Sequence, residues 1–247
     1  MSELPRLYAG LYASFRADLP FWRRLASAAG SPVLELGSGT GRVAAHLARQ
    51  GLAVTGIDSD PDMIAWAEQH RPPSLPASLA YRLSDMTRFR LPDRFRIALC
   101  PCNTLSLLPL SQARRSLRCA RRHLLPGGIF AAELPLPRDL RAQDLDPSQP
   151  LAAFREPQTQ RPVQVYARQR WDAGRRSANI EWLLDELLPD GGVVRHSYWQ
   201  RLHLWEPGEI QDAVREAGFA GSSLLGGYEG EKYDEHSRRM LVVAIAP

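Results

Sequence analysis

The chain has 247 residues, 44% of them hydrophobic and 23% charged, enough for one substantial core and ordinary for a globular protein. No run approaches the roughly 18 to 20 apolar residues that span a bilayer, and residues 1–10 lack the basic, apolar and small-residue succession of a secretion signal, so a cytoplasmic location is expected. A net charge of +4 is too weak to point to a polyanion, and the unevenly spaced Cys100, Cys102 and Cys119 argue against a disulfide framework.

In chain order, residues 12–29 read as a helical segment interrupted by Pro20. Residues 32–36 form a short apolar run that stops at glycines, as a buried parallel strand does. Residues 41–49 then place Val43, Ala44, Leu47 and Ala48 on one helix face, closed by Gly51. Residues 53–57 are a second strand, and a helix begins at Pro61 under an Asp60 cap. The Pro-rich residues 71–77 are loop, followed by strands over 79–83 and 96–100. Ser111 is expected to cap a helix bearing Arg114, Arg115, Arg118, Arg121 and Arg122, which reads as a solvated face rather than an RNA-binding patch. Pro126, Gly127 and Gly128 turn the chain into a fifth strand over 129–134. This repeated order predicts an α/β fold, a parallel sheet with helices on both faces.

After residue 134 the pattern changes. Residues 135–162 are rich in Pro, Asp and Gln and read mostly as loop. Three extended stretches follow, over 163–171, 177–188 and 193–204, separated by turn signals, which predicts an antiparallel meander. A helix over 207–217 ends at Gly218, and residues 219–225 and 240–245 read as the last hairpin of the main sheet.

Chemistry concentrates where the first strand meets the first helix of the alternating part. Gly37, Gly39 and Gly41 let the backbone bend and approach a ligand. Their spacing is G-x-G-x-G, not the G-x-G-x-x-G that cradles a pyrophosphate, and Glu35, two residues earlier, would repel a diphosphate and favour an ammonium or sulfonium. Asp58 ends the second strand, where one carboxylate can accept from both hydroxyls of a ribose. Met63 falls on the first turn of the next helix, where its thioether chain can pack on adenosine. Asp85 and Met86 end the third strand, where an acid can accept from an adenine amino group.

Together these residues resemble the class I S-adenosylmethionine-dependent methyltransferases, over about residues 30–135 and, loosely, the last hairpin. The resemblance implies a Rossmann-like, doubly wound, mostly parallel seven-stranded sheet with an antiparallel β lid inserted after the fifth strand. Residues 1–135 and 206–247 would bind S-adenosyl-L-methionine, leaving S-adenosyl-L-homocysteine as product, and residues 136–205 would cover the acceptor. It implies cofactor contacts at Glu35, Gly37, Ser38, Gly39, Gly41, Asp58, Ser59, Met63, Asp85, Met86, Cys100 and Asn103. Residues 102–108 resemble the branch acting on glycine, sarcosine or amino sugars, which points to a small-molecule acceptor, with N-methylation ahead of O-methylation. No Asn/Asp-Pro-Pro-aromatic signature is present. Cys102 is read as pocket lining, because Glu133-Leu134-Pro135 stands where cytosine-5 enzymes carry Glu-Asn-Val. A general base, if one is used, would come from His203, His196 or Tyr12, with Tyr8 and Glu133 behind them. His46, His70, His123 and His236 form no metal-ligand spacing, and no metal is expected. The competing readings are an RNA or protein methyltransferase and a non-catalytic methyltransferase-like binding protein. Neither nucleic acid nor membrane is an expected partner, and the sequence is silent on oligomeric state.

Overall fold

The computed structural model describes residues 3–72, 78–142 and 147–247. In chain order the elements are α1 (Leu4–Tyr12), α2 (Leu19–Ala29), β1 (Val33–Leu36), α3 (Arg42–Ala48), β2 (Val54–Asp58), α4 (Pro61–Gln69), β3 (Leu79–Leu83), β4 (Phe95–Cys100), α5 (Leu110–His123), β5 (Leu124–Leu134), α6 (Pro137–Ala142), β6 (Ala152–Arg155), β7 (Pro162–Asp172), β8 (Ser177–Leu187), β9 (Val193–His203), α7 (Pro207–Glu216), β10 (Gly221–Leu225) and β11 (Met240–Ile245). A single 3-10 turn, Thr104–Leu107, follows β4.

The main sheet has seven strands in the order β10-β11-β5-β4-β1-β2-β3, and β11 pairs antiparallel with both β5 and β10 while the other pairs are parallel. Strand β4 explains its layers. Ile97 and Leu99 point to the face covered by α2, α3 and α4, whereas Ala98 and Cys100 point to the face covered by α5 and α7. Being apolar on both faces, such a strand is stable only when helices cover each. Full burial of a side chain such as Leu99 stabilises by about 1.5–3 kcal/mol. The strand order reverses at β1, between β4 and β2, and a doubly wound sheet opens a crevice beyond the carboxyl end of that strand.

The second sheet, β6-β7-β8-β9, is an antiparallel meander. Its inward face buries Val163, Val165, Ala167, Ala178, Ile180 and Leu184. Leu7 of α1 is buried against Val163, Val165 and Leu184.

Four expectations need correction. Residues 12–29 are not one helix: α1 ends at Tyr12 and α2 starts at Leu19, with Pro20 in the first turn of α2, where its missing N–H costs nothing. Ser111 is not a cap, because α5 begins at Leu110 behind Pro109. Residues 126–128 lie within β5 as an irregularity rather than before it, so the pairing with β4 jumps from Phe95–Leu124 to Ile97–Ile129. Residues 135–162 hold α6 and β6 as well as loop; β6 is an edge strand, mostly exposed, so it carries no apolar alternation to read. Within the predicted loop at 71–77, residues 73–77 lie outside the described residues.

Candidate active site

The crevice beyond β1 is a cleft of about 360 Å³. Gly37, Gly39, Asp58, Asp60, Met63, Thr104 and Leu107 form its floor and sides, Leu4 and Tyr8 of α1 one part of its roof, and Tyr198, Trp199, Gln200 and Arg201 of β9 the other. A small chamber adjoins it, sharing Tyr8, Gly37, Gly39 and Thr104 and adding Tyr12, Glu35, Ser38, Arg42 and Cys102. A larger depression of about 470 Å³ lies beside residues 226–239, but it holds none of the sequence-predicted cofactor residues. The cleft is therefore placed by its chemistry rather than its size.

Two glycines shape the turn. Gly37 has φ +65°, and a Cβ there would fall 2.2 Å from Thr104 Cγ2, so only glycine lets the 3-10 turn close onto β1. Gly39, at φ +52°, has open space instead: its nearest neighbour to a built Cβ is Tyr8 Cε1, at 3.9 Å. That bare backbone is a surface a ligand can approach.

Asp58 holds the turn from the next strand. Its Oδ2 accepts from the Gly39 N–H at 2.8 Å and its Oδ1 from the Asp60 N–H at 2.9 Å. A carboxylate offers about four lone-pair sites, so each oxygen retains capacity for another donor. Burial raises its pKa, opposed by these backbone donors. Asp60 caps α4 as expected, accepting from the N–H groups of Asp62 and Met63, which fixes Met63 at the cleft.

Glu35 is 3% exposed, and its Oε2 has no hydrogen-bond partner among the described residues. Burial pushes its pKa up to about 8 against the opposing charge of Arg42. Arg42, the first residue of α3, is itself held by the fully buried Asp18, with Nη1–Oδ1 2.8 Å and Nη2–Oδ2 2.6 Å. Trp22 Nε1 donates to the same Asp18, and Arg42 also donates to the Phe15 carbonyl and to Cys102 Sγ at 3.1 Å. Burial pushes the Cys102 thiol up to about 12, so it is a neutral lining group. The Arg42–Asp18 pair was missed by sequence reasoning; its partners are 24 residues apart and no local pattern links them.

Tyr12 lines the chamber, lies tilted against Tyr8 with ring centroids 4.6 Å apart, and its pKa is pushed up to about 12 by burial. At neutral pH it is a phenol that donates or accepts a hydrogen bond. Beyond it lie Phe15, with the Arg42 guanidinium 5.2 Å from its centroid, and Glu133, which accepts from Tyr228 Oη and Arg239 Nη1, both at 2.8 Å.

The remaining predicted residues scatter. His196 and His203 both lie on β9 outside the lining of cleft and chamber: His196 Nε2 is 3.5 Å from Glu186, and half-buried His203 pairs with Ser177. Burial and Arg201 lower the pKa of His203. Asp85 accepts from the Thr87 N–H at 2.8 Å and pairs with Arg88 at 3.1 Å; against burial, these hold its carboxyl low. Met86 packs on the core beneath α5 and Cys100 is wholly buried there. Asn103 is left-handed at φ +59° and starts the 3-10 turn, Ser59 is exposed beside Asp58, and Gly41 precedes α3. Neither a group of side chains suited to a metal nor a helix long and apolar enough to cross a membrane occurs among the described residues. On the Arg-rich helix, Arg114 pairs with Glu216 and Arg121 donates to the Gly218 carbonyl, so part of that face ties α5 to α7.

The fold is that of solved S-adenosylmethionine-dependent methyltransferases. Residues 33–128 match the family described as a methyltransferase domain. Among solved structures, the chain is similar to the methyltransferase CcbJ from Streptomyces caelestis (22% identity over 95% of this chain and 98% of that one, TM-score 0.76). It is also similar to the sugar N-methyltransferase KedS8 from Streptoalloteichus (22% identity, 97% and 91% covered, TM-score 0.76) and to CalS10, an amino pentose methyltransferase from Micromonospora echinaspora solved with S-adenosylmethionine bound (21% identity, 100% and 98% covered, TM-score 0.74). No curated protein sequence matches the chain.

Proposed function

We propose that the protein transfers the methyl group of S-adenosylmethionine to an amine nitrogen of a small polar molecule, and that residues 136–205 act as the lid over that acceptor. The observation that carries this reading is the orphaned Oε2 of buried Glu35 beside an open glycine turn. A buried carboxyl oxygen without a partner is costly, and a cationic ligand group in the chamber would offset that cost. The cofactor supplies an electrophilic methyl on a sulfonium, and the reaction is an in-line displacement that positioning and exclusion of water can accelerate. In this reading Gly37, Ser38 and Gly39 present backbone to the amino-acid end of the cofactor. Asp58 accepts from the ribose hydroxyls with its remaining lone pairs, and Met63 packs on the base.

The acceptor would approach from the side of Tyr12, Phe15, Cys102 and Glu133. Aromatic faces and a carboxylate suit an amine, and Tyr12 would accept a hydrogen bond from its N–H and orient its lone pair. The names of KedS8 and CalS10, an N-methyltransferase of sugars and a methyltransferase of an amino pentose, favour an amino sugar or a comparable amine. The test is methyl transfer from labelled S-adenosylmethionine to paired amines and their hydroxyl analogues. Label on nitrogen is expected; label confined to oxygen would sink the N-methyl reading while leaving the cofactor in place.

A pH signature follows from Glu35. Its folded pKa is raised from 4.5 to about 8, so the free protein carries it mostly protonated at pH 7. The sign is that of a burdened acid: folding stability falls as pH rises from 4.5 through 8. A bound ammonium or sulfonium draws the pKa down, so binding S-adenosylhomocysteine at pH 7 releases a proton. Calorimetric enthalpies in buffers of different ionisation heat should reveal this release, and Glu35→Gln should abolish it. Equal enthalpies in all buffers for the wild type would remove Glu35 from the cofactor site.

A further inference from the structure

The roof of the cleft is built from two elements far apart in sequence, α1 through Leu4 and Tyr8 and β9 through residues 198–201. Outside the cleft, a buried ion cluster fastens α1 to the four-stranded sheet. Arg6 Nη1 is 3.2 Å from Glu156 Oε2 and Nη2 is 2.8 Å from Glu186 Oε2, and the two carboxylate side chains are only 1% and 3% exposed. Arg161 and, on β9, His196 also reach Glu186, at 3.4 and 3.5 Å. Glu156 accepts from the N–H groups of Gln158 and Thr159, and Gln158 contacts His70 at the end of α4.

We propose that Arg6 is a positioning residue for the cofactor, clamping α1 to the four-stranded sheet so that the two form a single cap over the cleft. The inference rests on the cofactor reading given above, and Arg6 itself lines neither cleft nor chamber. Two buried carboxylates side by side demand a cation, and the helix delivers it through one forked side chain. At about 100° per residue, Leu4 and Tyr8 lie one turn apart on a stripe roughly opposite Arg6. Apolar packing of Leu7 is non-directional and tolerates small rotations of the helix about its axis. The two-point contact of the guanidinium does not. With Arg6 turned to the sheet, Leu4 and Tyr8 are turned to the glycine turn.

The test is S-adenosylhomocysteine binding and release by Arg6→Met, Arg6→Lys and the triple variant Arg6→Met/Glu156→Gln/Glu186→Gln, which leaves neither carboxylate buried without a cation. For Arg6→Met and the triple variant we expect a dissociation constant raised tenfold or more, carried by faster release, with faster amide exchange over residues 4–12. Arg6→Lys, which keeps the charge without the fork, should fall between. A change in melting temperature alone, with affinity and release rate within twofold of wild type in the folded triple variant, would overturn the proposal. Failure of the wild type itself to bind would instead bring down the cofactor reading.

Discussion

Asp58→Ala is expected to weaken binding of S-adenosylmethionine and S-adenosylhomocysteine by at least a hundredfold while leaving the protein folded. Hydrogen bonds to a charged group contribute about 1.5–3 kcal/mol each. If Asp58 takes two from a ribose, as proposed, their loss costs about 3–6 kcal/mol, and each 1.4 kcal/mol is a factor of ten in affinity. The variant also frees the Gly39 N–H, which Asp58 Oδ2 now holds at 2.8 Å, so the turn itself becomes less ordered. Stability should move much less than affinity, because burial already disfavours the charged form of Asp58 in the free protein. Asp58→Asn retains one acceptor at similar volume and should lie between. Calorimetric titration of folded variants, with melting temperature as the control for fold, decides the matter. An affinity within threefold of wild type would remove Asp58 from the ribose site and leave a non-catalytic scaffold as the better reading.

The turn and its acids were legible because they are local. A strand that runs directly into Gly37, Ser38 and Gly39, and a second that ends on Asp58 before an Asp60-capped helix, announce their geometry within a few residues. The antiparallel sheet was legible for a similar reason: Ala178, Ile180 and Leu184 of β8 alternate with less buried Asn179, Glu181 and Asp185. What stayed hidden depends on register and on long-range pairing. His196 and His203 were placed on the right strand, but His196 shares a face of β9 with Tyr198 and Gln200 and lies further along the strand, where it meets Glu186 instead of the cleft. The roofing role of α1 was hidden as well, because the periodicity from residue 12 onward drew attention past a helix that starts at Leu4. Arg6 and its carboxylates, 150 to 180 positions apart in the chain, leave no trace in either neighbourhood.

Asp18→Ala is expected to cost about 3–5 kcal/mol of stability, the usual penalty for leaving a buried charge without its partner. For a chain of this length that is a fall in melting temperature of about 6–20 °C, at roughly 2–4 °C per kcal/mol. The charge stranded is Arg42, whose side chain is 18% exposed and would keep only the Phe15 carbonyl and Cys102 Sγ as hydrogen-bond partners. Trp22, fully buried, loses its acceptor in the same step. Arg42→Met alone should be comparably harmful, since Asp18 then lies fully buried without a cation. The double variant Asp18→Ala/Arg42→Met should be more stable than the sum of the two losses, because no unpaired charge remains. Additive losses would mean that the pair is not the unit that holds α2 to α3. The same double variant separates two ways in which the glycine turn can fail. Arg42 opens α3 directly after Gly41, so an unanchored helix would loosen the cradle as well as the core. If the double variant recovers stability yet still binds S-adenosylhomocysteine poorly, Arg42 serves the ligand directly. If affinity returns along with stability, its place is in holding the turn that Asp58 and Glu35 then use.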